Sequence, residues 1–142
     1  MKAPDFVKAL GVAIATLAIT VAASFPMVGF YAFFIEPGHP QEFYSEAAQW
    51  IAPWSSHVLG PLVFFASNYW LARRSPERNA MLFAAATIVL YVMVDLSTLP
   101  MMGLPITVTA AFSISLSVKA AAAFIGAYLG AHSGTKARSA DA

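Results

Sequence analysis

The segment that decides the fold reads ITVTAAFSISLSVKAAAAFIGAYLGA and covers residues 106–131. Apart from Lys119 it is almost wholly apolar or small, and it is long enough for a helix that crosses a bilayer, which needs about 20 residues. An ammonium group at that depth costs at least about 2.5–3.5 kcal/mol on insertion scales. We therefore expect Lys119 to face protein or water and to have a partner.

The composition of the whole chain agrees with a membrane protein. Of its 142 residues, 59% are hydrophobic and only 11% are charged, whereas a soluble domain carries about 25% charged residues. Three further apolar runs, residues 6–35, 54–72 and 80–99, also reach spanning length. We predict an all-α integral membrane protein with a four-helix transmembrane bundle in residues 1–132. The polar residues 133–142 are predicted to form a disordered cytoplasmic tail.

Basic residues mark one side of this four-span arrangement. They fall at the amino end, between the second and third runs, and in the tail, namely at Lys2, Lys8, Arg73, Arg74, Arg78, Lys136 and Arg138. The link between the first two runs carries three glutamates and no Lys or Arg. Since cytoplasmic loops are enriched in Lys and Arg, we predict a multi-pass protein of the cell inner (plasma) membrane with both termini in the cytoplasm.

The first link is the longest one, and residues 40–52 have the pattern of a short helix. Pro40 stands at an early helical position and Glu42 falls in the first turn. Phe43, Trp50 and Ile51 suit a helix that lies in the outer membrane interface. A solvated acidic loop is the alternative.

Six polar residues within or beside the apolar runs are the candidates for a binding or proton site. Helical spacing places them on polar stripes that should face each other inside the bundle: Asp95, Lys119, His57, Asn68, Tyr91 and Ser115. Asp95 is the single acid within the runs, so it is expected to pair with Lys119, directly or through water. The competing pairing joins Asp95 to His57 near the outer ends of their spans. If Lys119 lacks the carboxylate, then Asn68, Tyr91 or Ser115 must solvate its ammonium.

Small residues follow Lys119 on the same helical face. Ala122, Gly126 and Gly130 recur at every fourth position and predict a close-packing surface. The pattern leaves open whether a neighbouring span or a second chain covers it.

Motifs of familiar chemistry are lacking in the sequence. It contains no Cys, and it has no His-Glu-x-x-His motif, Gly-rich phosphate loop or nucleophile elbow. The net charge of +1 gives no basic surface for nucleic acid. We predict no catalytic residues, no metal and no cofactor.

These features favour a small non-catalytic subunit or helper of a larger membrane assembly. Its expected partners are the lipid bilayer and other membrane protein chains or a homo-oligomer, without nucleic acid. A first alternative is a small proton-linked transporter that uses Asp95 and Lys119. A second is a membrane enzyme that acts on a lipid or quinone, with His57 and Asp95 as acid and base.

Overall fold

The computed structural model describes residues 3–75, 77–101 and 110–140, and this part of the chain is helical apart from short links. Helix α1 (Ala3–Phe30) continues into a π-helical segment (Tyr31–Ile35). It is followed by α2 (Gln41–Arg74), α3 (Ala80–Met101) and α4 (Ala110–Ala140). The all-α class predicted from the apolar runs is confirmed.

Three of these helical stretches are long and apolar enough to cross a membrane: Ala3–Ile35, Ala80–Thr98 and Phe112–Gly134. They correspond to the first, third and fourth predicted runs. Helix α2 does not qualify on composition, because it carries Ser55, Ser56, His57 and Asn68 among its apolar residues.

The prediction of a separate interfacial helix at residues 40–52 was wrong. Helix α2 runs without a break from Gln41 to Arg74 and contains Pro53 and Pro61 in its interior. A proline removes one helical hydrogen bond, and in membrane helices neighbouring groups can compensate for that loss. Here Ala47 and Ile51, on the amino-terminal side of Pro53, are already buried. Packing of this first part of α2 therefore favours continuing the helix.

The small-residue face of α4 packs against α2, which is its most extensive helix contact. A Cβ atom added to these glycines would collide with backbone carbonyl oxygens of α2: Gly126 with Phe65, Gly130 with Tyr69 and Gly134 with Arg73. Both series rise by four residues, so α2 and α4 run parallel. We call this contact the glycine seam, and it shows that a neighbouring helix of the same chain covers the face.

The glycine seam extends into the carboxyl-terminal segment. Disorder was predicted from residue 133 onward, but α4 continues to Ala140. Gly134 is the next member of the four-residue series and packs against Arg73, whereas the predicted disorder considered composition alone. Residues 141 and 142 lie outside the described part of the chain.

Arg78 ties the link between α2 and α3 to the start of α1. Its Nη1 donates to Asp5 Oδ1 at 3.3 Å, and its Nη2 donates to the Leu71 carbonyl oxygen at 3.1 Å. The guanidinium also lies over the Phe83 ring, 3.7 Å from the centroid. We call these contacts the arginine clasp.

The arginine clasp and the glycine seam together fix which helix ends are neighbours. The clasp places the start of α1 beside the link after α2, and Gly134 of α4 lies against Arg73 near the end of α2. The three basic segments therefore occur at one end of the bundle, as the four-span arrangement requires. We call it the inner end and the opposite one the outer end. These two names follow the orientation predicted from the charge pattern, which stays a prediction.

Candidate site around Lys119

The ammonium group of Lys119 is held by two hydroxyl groups from two other helices. Lys119 is only 4% exposed. Its Nζ donates to Ser56 Oγ of α2 at 2.7 Å and to Tyr91 OH of α3 at 2.9 Å. It also lies 4.9 Å from the centroid of the Tyr91 ring. We call these three residues, together with Asp95, the lysine site.

A glycine of α2 makes room for the lysine stem. A Cβ atom at Gly60 would lie 2.5 Å from Lys119 Cε and 3.4 Å from its Cδ. The aliphatic stem thus crosses α2 where that helix has no side chain. On the inner side of the site, Phe64 meets the Tyr91 ring edge to face, with 5.1 Å between centroids. The lysine site is therefore closed toward the inner end by an aromatic ring.

Lys119 lies well inside the bundle. It is nine residues into α4, which starts at Ala110 at the outer end, and this corresponds to a depth of about 14 Å. Ser115, one turn nearer the outer end, is 7% exposed. At this depth hydrocarbon cannot solvate an ammonium group, so the two hydroxyl partners meet a physical requirement.

Asp95 lies one turn of α3 closer to the outer end than Tyr91. It interacts electrostatically with both Lys119 and Tyr91, and it is only partly buried. Within the described residues, its carboxylate has no ion pair within 4.0 Å and accepts no hydrogen bond. The described structure therefore shows no direct ion pair between Asp95 and Lys119, and their pairing through water stays a prediction. The hydroxyl groups of Ser56 and Tyr91 are at the level of the ammonium, whereas the carboxylate is about 6 Å further along its helix.

His57 is not part of the lysine site. Its Nδ1 lies 2.5 Å from the Pro53 carbonyl oxygen in its own helix. No ion pair within 4.0 Å joins it to Asp95 in the described structure. The hypothesis of a membrane enzyme, in which these two residues act as acid and base on a substrate, stays a prediction.

Phe64 and Asn68 are buried as predicted, but in the outer part of α2 the face that meets Lys119 is shifted by one position, and this is why Ser56 was missed. The prediction placed His57, Pro61, Phe64 and Asn68 on one face. The side chains that contact the lysine site fall instead on the regular four-residue series Ser56, Gly60, Phe64. The available signal was Gly60, four positions after Ser56, because a buried lysine stem needs a gap beside the hydroxyl group that binds its ammonium.

Asn68 is buried but does not solvate Lys119. It is 1% exposed, and its Nδ2 donates to the Phe64 carbonyl oxygen at 2.9 Å. Its Oδ1 is buried and has no hydrogen-bond partner within the described residues. Ser115 likewise gives no hydrogen bond to the Lys119 ammonium in the described structure.

Buried threonines elsewhere in the bundle bond within their own helix. Thr16 Oγ1 donates to the Val12 carbonyl oxygen at 2.8 Å, and Thr87 Oγ1 donates to that of Phe83 at 2.9 Å. Such local bonds satisfy a hydroxyl without any partner helix. The polar groups of the lysine site differ from them, because their hydrogen bonds join three helices.

The chemistry available at the lysine site is proton transfer. An amine, a phenol, an alcohol and a carboxylic acid lie within one or two helical turns of each other, and each can carry a proton. A search of the described residues found no group of three His, Asp or Glu side chains that could hold a metal ion. No protein-family model, curated protein or solved structure matches this chain.

Proposed function

We propose that this chain is a small proton-linked membrane transporter and that the lysine site is where it binds and releases protons. The observation that carries the proposal is the way in which Lys119 is bonded. A buried ammonium is held by two neutral hydroxyl groups while a carboxylate stands nearby without contact. An intramembrane ionisable residue is by default a functional candidate, and proton relays are among its commonest roles.

The glycine seam removes one of the three supports for a subunit or helper role. That hypothesis rested on the small size, the lack of catalytic motifs and the close-packing face. The face is occupied by α2 of the same chain, so it is not available to a partner.

The arrangement suggests an order of proton movement. Asp95 lies on the outer side and is partly exposed, so it is suited to exchange protons with the outer end. Tyr91 OH accepts a hydrogen bond from the ammonium, and a phenol can donate and accept at once. Movement of a proton between Asp95 and Lys119 changes the charge of both groups, and such a change alters the electrostatic attraction between α3 and α4.

Transport across the bilayer requires that α2 also crosses it, and we include this in the proposal. Helix α2 is parallel to the candidate span Phe112–Gly134 and packs along it. We further propose an inner (plasma) membrane location with both termini cytoplasmic. Reporter fusions after residue 142 should be active in the cytoplasm, and activity only outside it would refute this topology.

A pH jump on a solid-supported membrane tests the proton site directly. Protein in liposomes should give a transient charge displacement when the pH of the external solution is stepped. Lys119→Met should abolish that displacement. Ser117→Ala is the matched control, because Ser117 is exposed on the same helix. Its hydroxyl group donates to the Ser113 carbonyl oxygen within that helix. Equal signals from Lys119→Met and wild type would refute the proposal.

A role in a larger assembly stays as a second candidate, because large aromatic side chains are exposed toward the outer end. Phe25, Phe33, Phe34 and Trp54 are 72%, 79%, 75% and 63% exposed. Such rings suit either lipid or a partner helix. Cross-linking in native membranes from residue 33 distinguishes the two, since a fixed protein adduct supports the assembly and lipid adducts alone oppose it.

A further inference from the structure

We infer that Asn68 forms a second polar station on the inner side of Phe64, where it binds the water through which protons leave the lysine site toward the inner end. This inference rests on the proposed function and extends it to the inward half of the route. It starts from the unpartnered side-chain oxygen of Asn68.

The Asn68 oxygen is an unusual group for the interior of a helical bundle. An unsatisfied buried amide destabilises a fold, and buried polar atoms normally have a partner. The Asn68 amide nitrogen is bonded to Phe64, and the oxygen has no partner in the described structure. A water molecule would satisfy such an acceptor.

Helix geometry places Asn68 directly inward of the lysine site. Phe64 contacts Tyr91. Asn68 follows Phe64 by one turn of α2, and Thr87 precedes Tyr91 by one turn of α3. Because these two helices run in opposite directions, both residues lie about 6 Å inward of the aromatic contact. Both are buried, at 1% and 0% exposure, so the inner station has an amide oxygen and a hydroxyl at one level.

Phe64 lies between the two stations. Its ring contacts Tyr91, its carbonyl oxygen accepts from the Asn68 amide, and the residue is fully buried. An aromatic ring offers no hydrogen-bonding path for a proton. A change in its position would connect the two stations, and its present position keeps them apart. Phe64 is therefore the gate in this inference, and Asn68 is the acceptor behind it.

The test separates proton binding from proton passage. Liposomes that contain a trapped pH-sensitive dye report passive proton flux under a potassium diffusion potential, and the pH jump described above reports binding at the lysine site. Asn68→Leu should keep the charge displacement and reduce the flux by about tenfold, the factor that 1.4 kcal/mol of added barrier produces. Phe64→Leu should raise the flux. Ser117→Ala should change neither signal.

Two variants of equal side-chain shape control for misfolding of Asn68→Leu. Asn68→Thr and Asn68→Val have the same shape and differ by a hydroxyl, so the threonine variant should retain more flux. Equal flux for this pair, or unchanged flux in Asn68→Leu together with a normal charge displacement, would overturn the inference and leave the lysine site intact. An unchanged charge displacement in Lys119→Met would instead reject the proposed function.

Discussion

The arginine clasp and the lysine site each withdraw a cationic side chain from solvent, but they stabilise it differently. Arg78 is in contact with a carboxylate, a backbone carbonyl oxygen and an aromatic face. Lys119 has two hydroxyl groups and an aromatic ring, while Asp95 is held at a distance. The clasp joins a helix start to a link, as a structural contact does. The comparison teaches that a cation whose carboxylate is kept apart is better suited to exchange a proton.

The largest expected effect is on the clasp. Arg78→Met should lower the free energy of unfolding by about 3 kcal/mol, because breaking a buried ion pair leaves its partner poorly solvated. Thermal unfolding in detergent measures it. Arg78→Lys should recover part of the loss, since the charge returns without the two-armed geometry. A change of less than about 1 kcal/mol for Arg78→Met is in the range of exposed ion pairs. It would show that the arginine clasp is not a structural contact.

The glycine seam should give the next largest effect, and it sets the register of Ser56 against Lys119. Gly130→Val places side-chain atoms against the Tyr69 carbonyl oxygen, and overpacking of this kind costs about 1–3 kcal/mol. Gly11→Val is the matched control, because a Cβ there meets nothing within 4 Å. Similar melting temperatures for the two variants would show that the seam is not close packed.

Lys119→Met should change stability far less than Arg78→Met, although the replacement is the same. Methionine fills the space of the lysine stem, and replacing a buried charge by an apolar group of similar volume is often neutral. We expect a change below about 1 kcal/mol, measured in the same thermal assay. A loss as large as that of Arg78→Met would mean that Lys119 is a structural residue, and the contrast between the two cations would disappear.

Gly60→Ala should have a similarly small effect on stability and a clear one on the site. The added methyl group meets the flexible end of the lysine stem rather than backbone, so the stem can shift at a cost of about 1 kcal/mol. The ammonium should then lose its geometry with Ser56, and the charge displacement after a pH jump should fall. An unchanged displacement would show that the position of the ammonium is not critical.

The sequence predicted the helical class, three helices that are long and apolar enough to cross a membrane, and the burial of several polar residues. The length of the apolar runs is enough to predict the helices. The burial of Asn68, Tyr91, Ser115 and Lys119 follows because hydrocarbon cannot solvate polar side chains. The common end of the basic segments followed from charge and span number. All of these are properties of single helices or of their order.

The sequence did not predict which groups meet between helices. Ser56 was missed and Asp95 was expected in its place, because complementary charge is visible in a sequence and the relative depth of two helices is not. That depth is set by the glycine seam, in which Gly134 was overlooked. Continuity of α2 through Pro53 likewise depends on burial of Ala47 and Ile51, which is a tertiary effect.

The most direct test of the central claim is nitrogen NMR of lysine-labelled protein in liposomes, with Lys119→Met used to assign the Lys119 signal. The account predicts that this signal changes with the pH of the medium while the protein stays folded, and that Asp95→Asn shifts the change. A Lys119 signal that stays fixed over the whole pH range in which the protein is folded would contradict a proton-exchanging role.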